Sequence, residues 1–79
     1  MSVAADLIAA MDAETAKVAG AKTTLVSITL DALREGAPAA FEARITRKTK
    51  SFVFSEGEAK DAAGAALMAA SAVHKIKEP

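Results

Sequence analysis

The chain has 79 residues, with ten basic side chains balanced by ten acidic ones and no cysteine. A domain this small buries only roughly 60% of its unfolded surface, so association with further copies is a common remedy. The charge balance removes the electrostatic case for nucleic acid or an anionic membrane surface, and the missing cysteines exclude a disulfide frame and thiolate chemistry.

Ser2 is placed to cap a helix, because its hydroxyl can accept from a free amide of the first turn. Val3, Leu7, Met11, Glu14 and Val18 then recur at helical steps, with Ile8 and Thr15 beside them. Gly20 stands where a C-cap belongs, and Lys17 suits the negative end of the helix dipole. The helix is therefore expected over residues 2–19. From Thr23 the period changes from helix to strand. Residues 23–33 put Val26, Ile28, Leu30 and Ala32 on one face and Ser27, Thr29 and Asp31 on the other, as a half-buried strand does.

Gly36 and Pro38 break that pattern and mark a connection over residues 34–38. Phe41, Ala43 and Ile45 alternate with Glu42, Arg44 and Thr46 in a second strand. Residues 47–50 (RKTK) read as a basic turn. Phe52 and Phe54 open a third strand ending near Ala59, with Gly57 as a candidate bulge. Residues 61–64 make a hairpin-type turn, residues 67–76 a fourth strand, and residues 77–79 a frayed tail.

Short turns join strands two, three and four, so these form an antiparallel meander; strand one, set apart by the Gly/Pro connection, can lie elsewhere, for instance at the sheet's far edge. The helix must cover one face. The other face is too apolar in places to be simply solvated, and pairing of two sheets across a two-fold axis would cover it.

Asp12 is a carboxylate among alanines, neighboured on the wheel by Ala5, Ala9, Ala16 and Ala19. It is either a solvent-facing residue or a site acid covered by a second copy. Glu14 lies within the stripe of large residues, where it either snorkels or serves as the site acid in place of Asp12. Arg47, Lys48 and Lys50 read as a solvated turn or as a grip for phosphates. His74, the single histidine, reads as a surface or interface residue; without a second histidine or a cysteine no metal site is expected. Ser27, Ser55 and Ser71 have no histidine–acid pair placed nearby by sequence, so a serine triad is not expected.

The string FEARITRKTKSFVFSEGEAKDAAGAALMAASAVHKI resembles the last three strands of hotdog-fold acyl-CoA thioesterases of the phenylacetyl-CoA thioesterase type. LVSITLDALREGAP resembles the strand after their central helix, and VAADLIAAMDAETAKVAGA resembles the helix itself. The resemblance implies a single α+β hotdog-like domain over residues 1–79, one central helix wrapped by a four-stranded antiparallel sheet. Ala4-Ala5 take the place of the family's paired glycines, and Asp12 lies at the spacing of its catalytic carboxylate. Met1 directly precedes the helix, where the family has a strand and a loop, so the chain reads as a shortened member.

By that resemblance Asp12 acts as general base or nucleophile on a thioester carbonyl, with Glu14 the second choice. The Ala5 backbone amide binds the developing oxyanion, helped by the helix dipole. Arg47, Lys48 and Lys50 hold the phosphates of coenzyme A. The expected function is hydrolysis of an acyl-CoA thioester at the interface of a homodimer or homotetramer, with no cofactor. A non-catalytic hotdog dimer that binds an acyl or coenzyme A ligand, or a protein partner, is the alternative. The absence of cysteine, of a basic leader and of any apolar run approaching ~20 residues fits a cytoplasmic protein with no membrane segment.

Overall fold

The computed structural model describes residues 2–77. The order is α1 (Val3–Ala19), β1 (Thr23–Ala32), β2 (Ala40–Lys48), β3 (Phe52–Lys60) and β4 (Ala66–Ile76). The strands form one antiparallel sheet in the order β1-β4-β3-β2, with α1 across one face. The expected meander and the far-edge position of the first strand are both present. Of the expected tail, residues 78 and 79 lie outside the described residues. The Lys77 amide donates to Lys22 O at 2.9 Å, so Lys77 is tied down.

Both helix ends form as the capping chemistry dictates. The Ser2 hydroxyl accepts from the Ala5 amide, and Gly20 adopts φ 65° with its amide on Ala16 O. A left-handed residue there is comfortable only without a Cβ. Leu7, Met11 and Thr15 are the buried positions of α1. Val18, at the end of the expected stripe, is 40% exposed.

The sheet beneath the helix is built of small side chains. Leu7 and Met11 pack with Ala70 and Ala72, and Leu25, Ile28, Phe41, Ala43 and Met68 close round them. Gly57 is central to this fit and is not a bulge: it pairs regularly with Ala43 and Ala70. A Cβ built there would lie 2.9 Å from Met11 Cγ and Sδ and 3.0 Å from Glu42 O. The thioether can move, but the carbonyl belongs to the neighbouring strand. Gly57→Ala is expected to cost about 1–3 kcal/mol by overpacking, read as a lower urea midpoint. Undiminished stability would show that helix and sheet separate freely.

The bulges lie elsewhere, between Leu25 and Ser27, between Ile45 and Arg47, and between Ala59 and Lys60. The first corrects the expectation for Val26 alone, since Ile28, Leu30 and Ala32 keep the expected face, opposite Ala72, Ala70 and Met68. Leu25 and Ile28 point toward the helix, while Val26 occupies the irregular position and is 56% exposed. An extra residue in one strand moves every side chain before it to the other face. The second bulge lets β2 run on to Lys48, so Arg47 and Lys48 are strand residues and the turn is confined to residues 49–51.

The face away from α1 is divided. Toward its charged end Arg44 reaches Glu56 and Glu58 at 3.4 Å, and Lys60 reaches Glu42 at 3.1 Å. Toward the other end Phe52 is 36% exposed and Arg47 lies 6.0 Å from the Phe54 ring centre. Leu67 is covered by the β1–β2 connection, with Gly36 against its side chain.

Candidate functional site

Asp12 follows Met11 on α1, so it stands beside the line that enters the core. Its side chain is 50% exposed, and Ala5, Ala9, Ala13 and Ala16 are exposed around it. These methyl groups leave the carboxylate open to solvent and let another surface approach the helix closely.

The carboxylate is held from beneath. His74 Nε2 lies 2.5 Å from Asp12 Oδ1, and His74 is 1% exposed. The expected surface or interface position for His74 is thus corrected: the ring is packed between sheet and helix. Its place follows from alternation along β4, where Ala70, Ala72 and His74 all point to the helix side. It sits in one row with Leu25 of β1 and Val53 of β3. Alternation with two buried alanines was the available signal; the partner, 62 residues away in sequence, gave none.

Among the described residues, three buried polar atoms have no hydrogen-bond partner: Thr15 Oγ1, Ser55 Oγ and His74 Nδ1. Ser55 is the only one of the three candidate serines that is buried, and its hydroxyl makes no bond to the histidine. Among the described residues no three His, Cys, Asp or Glu side chains converge as metal ligands do.

Glu14 is half-buried and makes no ion pair among the described residues. The Ala5 amide sits in the first turn of α1, where it donates to Ser2 Oγ at an exposed 3.3 Å. A ligand oxygen can reach it by displacing that hydroxyl. Seven residues of helix separate Ala5 from Asp12, about 10 Å along the axis, so one carbonyl group cannot touch both within a single helix.

Arg47, Lys48 and Lys50 are exposed at the end of the sheet where β2 meets β3. A cleft of about 550 Å³ opens at that end, lined by Thr24, Ser51, Lys75, Ile76 and Lys77. Asp12 is not among the residues that line it. The cleft adds two lysines and two hydroxyls to the three expected cations.

No protein-family model matches the chain, and no curated protein sequence matches it at significance. Solved structures do. A Bacillus halodurans protein solved with CoA superposes with a TM-score of 0.82 at 15% identity, over 90% of this chain and 50% of that one. A Streptococcus pneumoniae TIGR4 protein described as a hypothetical thioesterase, with coenzyme A, gives 0.73 at 10% identity, over 90% and 60%. A thioesterase-type, phenylacetic acid degradation-related protein from Ralstonia eutropha JMP134 gives 0.61 at 24% identity, over 72% and 44%. The chain spans about half the length of these proteins. At such identities the likeness shows the fold, and the fold is the hotdog arrangement that the sequence resemblance implied.

Proposed function

We propose that this hotdog domain hydrolyses an acyl-CoA thioester at a site shared between two copies of the chain. The observation that carries the reading is a half-exposed carboxylate, Asp12, fixed on the central helix of a fold whose structural neighbours include proteins solved with coenzyme A. Asp12 acts as general base on water, or attacks the thioester carbonyl directly. The oxyanion needs a donor, and the Ala5 amide is too far along the same helix to serve. Two antiparallel helices related by a two-fold axis solve this, each presenting its Asp12 to the other's first turn.

Two surfaces support a partner copy. The alanines around Asp12 permit close helix approach. Strand β1 is a sheet edge with Val26 and Leu30 exposed at 56% and 36%, and Leu33 just beyond it at 56%, so pairing of β1 with its mate would cover them. A homodimer, or a homotetramer of two such dimers, follows. Arg47, Lys48 and Lys50, with Lys75 and Lys77 nearby, supply cations for the phosphates of coenzyme A. The hydrolase needs no cofactor or metal and is assigned to the cytoplasm. Among the described residues no helix is long and apolar enough to cross a membrane.

A second reading has one specific observation in its favour. Ala4-Ala5 carry methyl groups where the family has glycine, and the Ala5 amide already has a partner in Ser2. A dimer that binds an acyl or coenzyme A ligand, or a protein partner, without turnover would tolerate both. Thiol release from short, aromatic and long acyl-CoAs separates the readings. Hydrolysis of one class above the buffer rate is expected; binding without release on every substrate would establish the second reading.

A further inference from the structure

The geometry points to His74 as a positioning residue for Asp12: its Nε2–H holds Oδ1 and leaves Oδ2 as the carboxylate oxygen free to act. His74 is 1% exposed, its Nε2 is 2.5 Å from Asp12 Oδ1, and Nδ1 has no partner among the described residues. A neutral imidazole carries one N–H and one acceptor nitrogen, and an ionised carboxylate only accepts. The short contact therefore places the proton on Nε2. A second proton, on Nδ1, would bury an N–H with nothing to receive it, which is costly. The packing thus gives Nε2 a partner and, among the described residues, Nδ1 none.

The arrangement inverts the order of an acid–histidine pair in a serine triad, where the buried acid orients an outer imidazole. Here the imidazole is buried and the carboxylate is outermost. The outer member is the one a ligand can touch, so reactivity belongs to Asp12 and orientation to His74. Without the ring, the Asp12 side chain would be free to turn about its own bonds on the open helix face. With it, one oxygen is anchored to the sheet through β4, and the other is fixed relative to whatever lies across the helix.

For its kinetic consequence this inference deepens the hydrolase reading and rests on it; for the contact itself it does not. The test uses the full chain and two readouts. Nitrogen NMR of His74 in the native protein at neutral pH should show Nε2 protonated and Nδ1 bare, and this single form should be lost in Asp12→Ala. Protonation on Nδ1, or a ring indifferent to Asp12→Ala, overturns the inference.

In the hydrolysis assay His74→Phe, which fills the space without a donor, should lower kcat roughly a hundredfold with KM little changed, the cost of a misplaced group. His74→Gln, which offers an N–H at a similar reach, should recover most of that loss. Equal kcat for His74→Phe and the native chain overturns the positioning role. If the native chain releases no thiol at all, the hydrolase reading fails, and with it the kinetic role, while the NMR result still decides the Asp12 contact.

Discussion

On the proposed mechanism, Asp12→Asn is expected to lower acyl-CoA turnover by roughly 10²–10⁴, the usual contribution of a positioned general base, and to leave the fold intact. The variant suits the question because of what it keeps. The asparagine side-chain carbonyl can still accept from His74 Nε2–H, so the buried ring does not lose its partner. What is lost is the capacity to take a proton or to attack a carbonyl. A matching circular dichroism spectrum and melting temperature, with turnover collapsed, is the expected result. Full turnover in Asp12→Asn would remove Asp12 from the mechanism and move attention to Glu14, which lies half-buried on the same helix.

Leu7→Ala has the largest expected effect on stability. Leu7 is fully buried and packs with Met11, Ala70 and Ala72. Small residues line the sheet opposite, and strands cannot collapse into the gap as a side chain would. The cost is expected at about 2–5 kcal/mol, from lost transfer energy plus the cavity. Total stability for a chain of 79 residues is about 4–12 kcal/mol at usual per-residue values, so the variant spends much of it. Melting should fall by at least about 10 °C. Val18→Ala is the control: at 40% exposure it should cost under about 1 kcal/mol, although Leu7 and Val18 belong to the same apolar pattern. Equal losses in the two variants would contradict the placement of the core beneath the first three turns of α1.

Much of the fold was legible because it rests on period. The switch from helical to alternating spacing at Thr23 separates α1 from the sheet, and Ser2 and Gly20 mark the helix ends through local chemistry. The register within β1 was not legible. Val26 belongs to the alternation in sequence, but a bulge against β4 gives the inward place to Leu25. Bulges are settled between strands, and a single strand's pattern does not carry them. Gly57 shows the converse: its sequence suggests a bulge, and its actual role is to make room for Met11, which arrives from the helix.

The candidate site divides along the same line. Asp12 stood out because a carboxylate interrupts a run of alanines. His74 reads in sequence as a surface residue because its meaning comes from a contact across 62 residues, made only when β4 lies under α1. Arg47, Lys48 and Lys50 were visible as a run of charge. Their neighbours Lys75 and Lys77 join them only through the pairing of β3 with β4 and the tie between Lys77 and Lys22.

The most direct test of a site shared between copies is complementation between two inactive variants. Asp12→Asn removes the carboxylate. Ala5→Pro removes the amide at a first-turn position whose N–H, among the described residues, serves the Ser2 cap alone, so the helix can accept proline there. Each variant alone should release little thiol. Unfolded together and refolded as a mixture, half of the dimers should be mixed, each with one intact site of two, so activity should return to about a quarter of the native value. A mixture as inactive as its parents, with both variants folded and dimeric, would contradict the shared site.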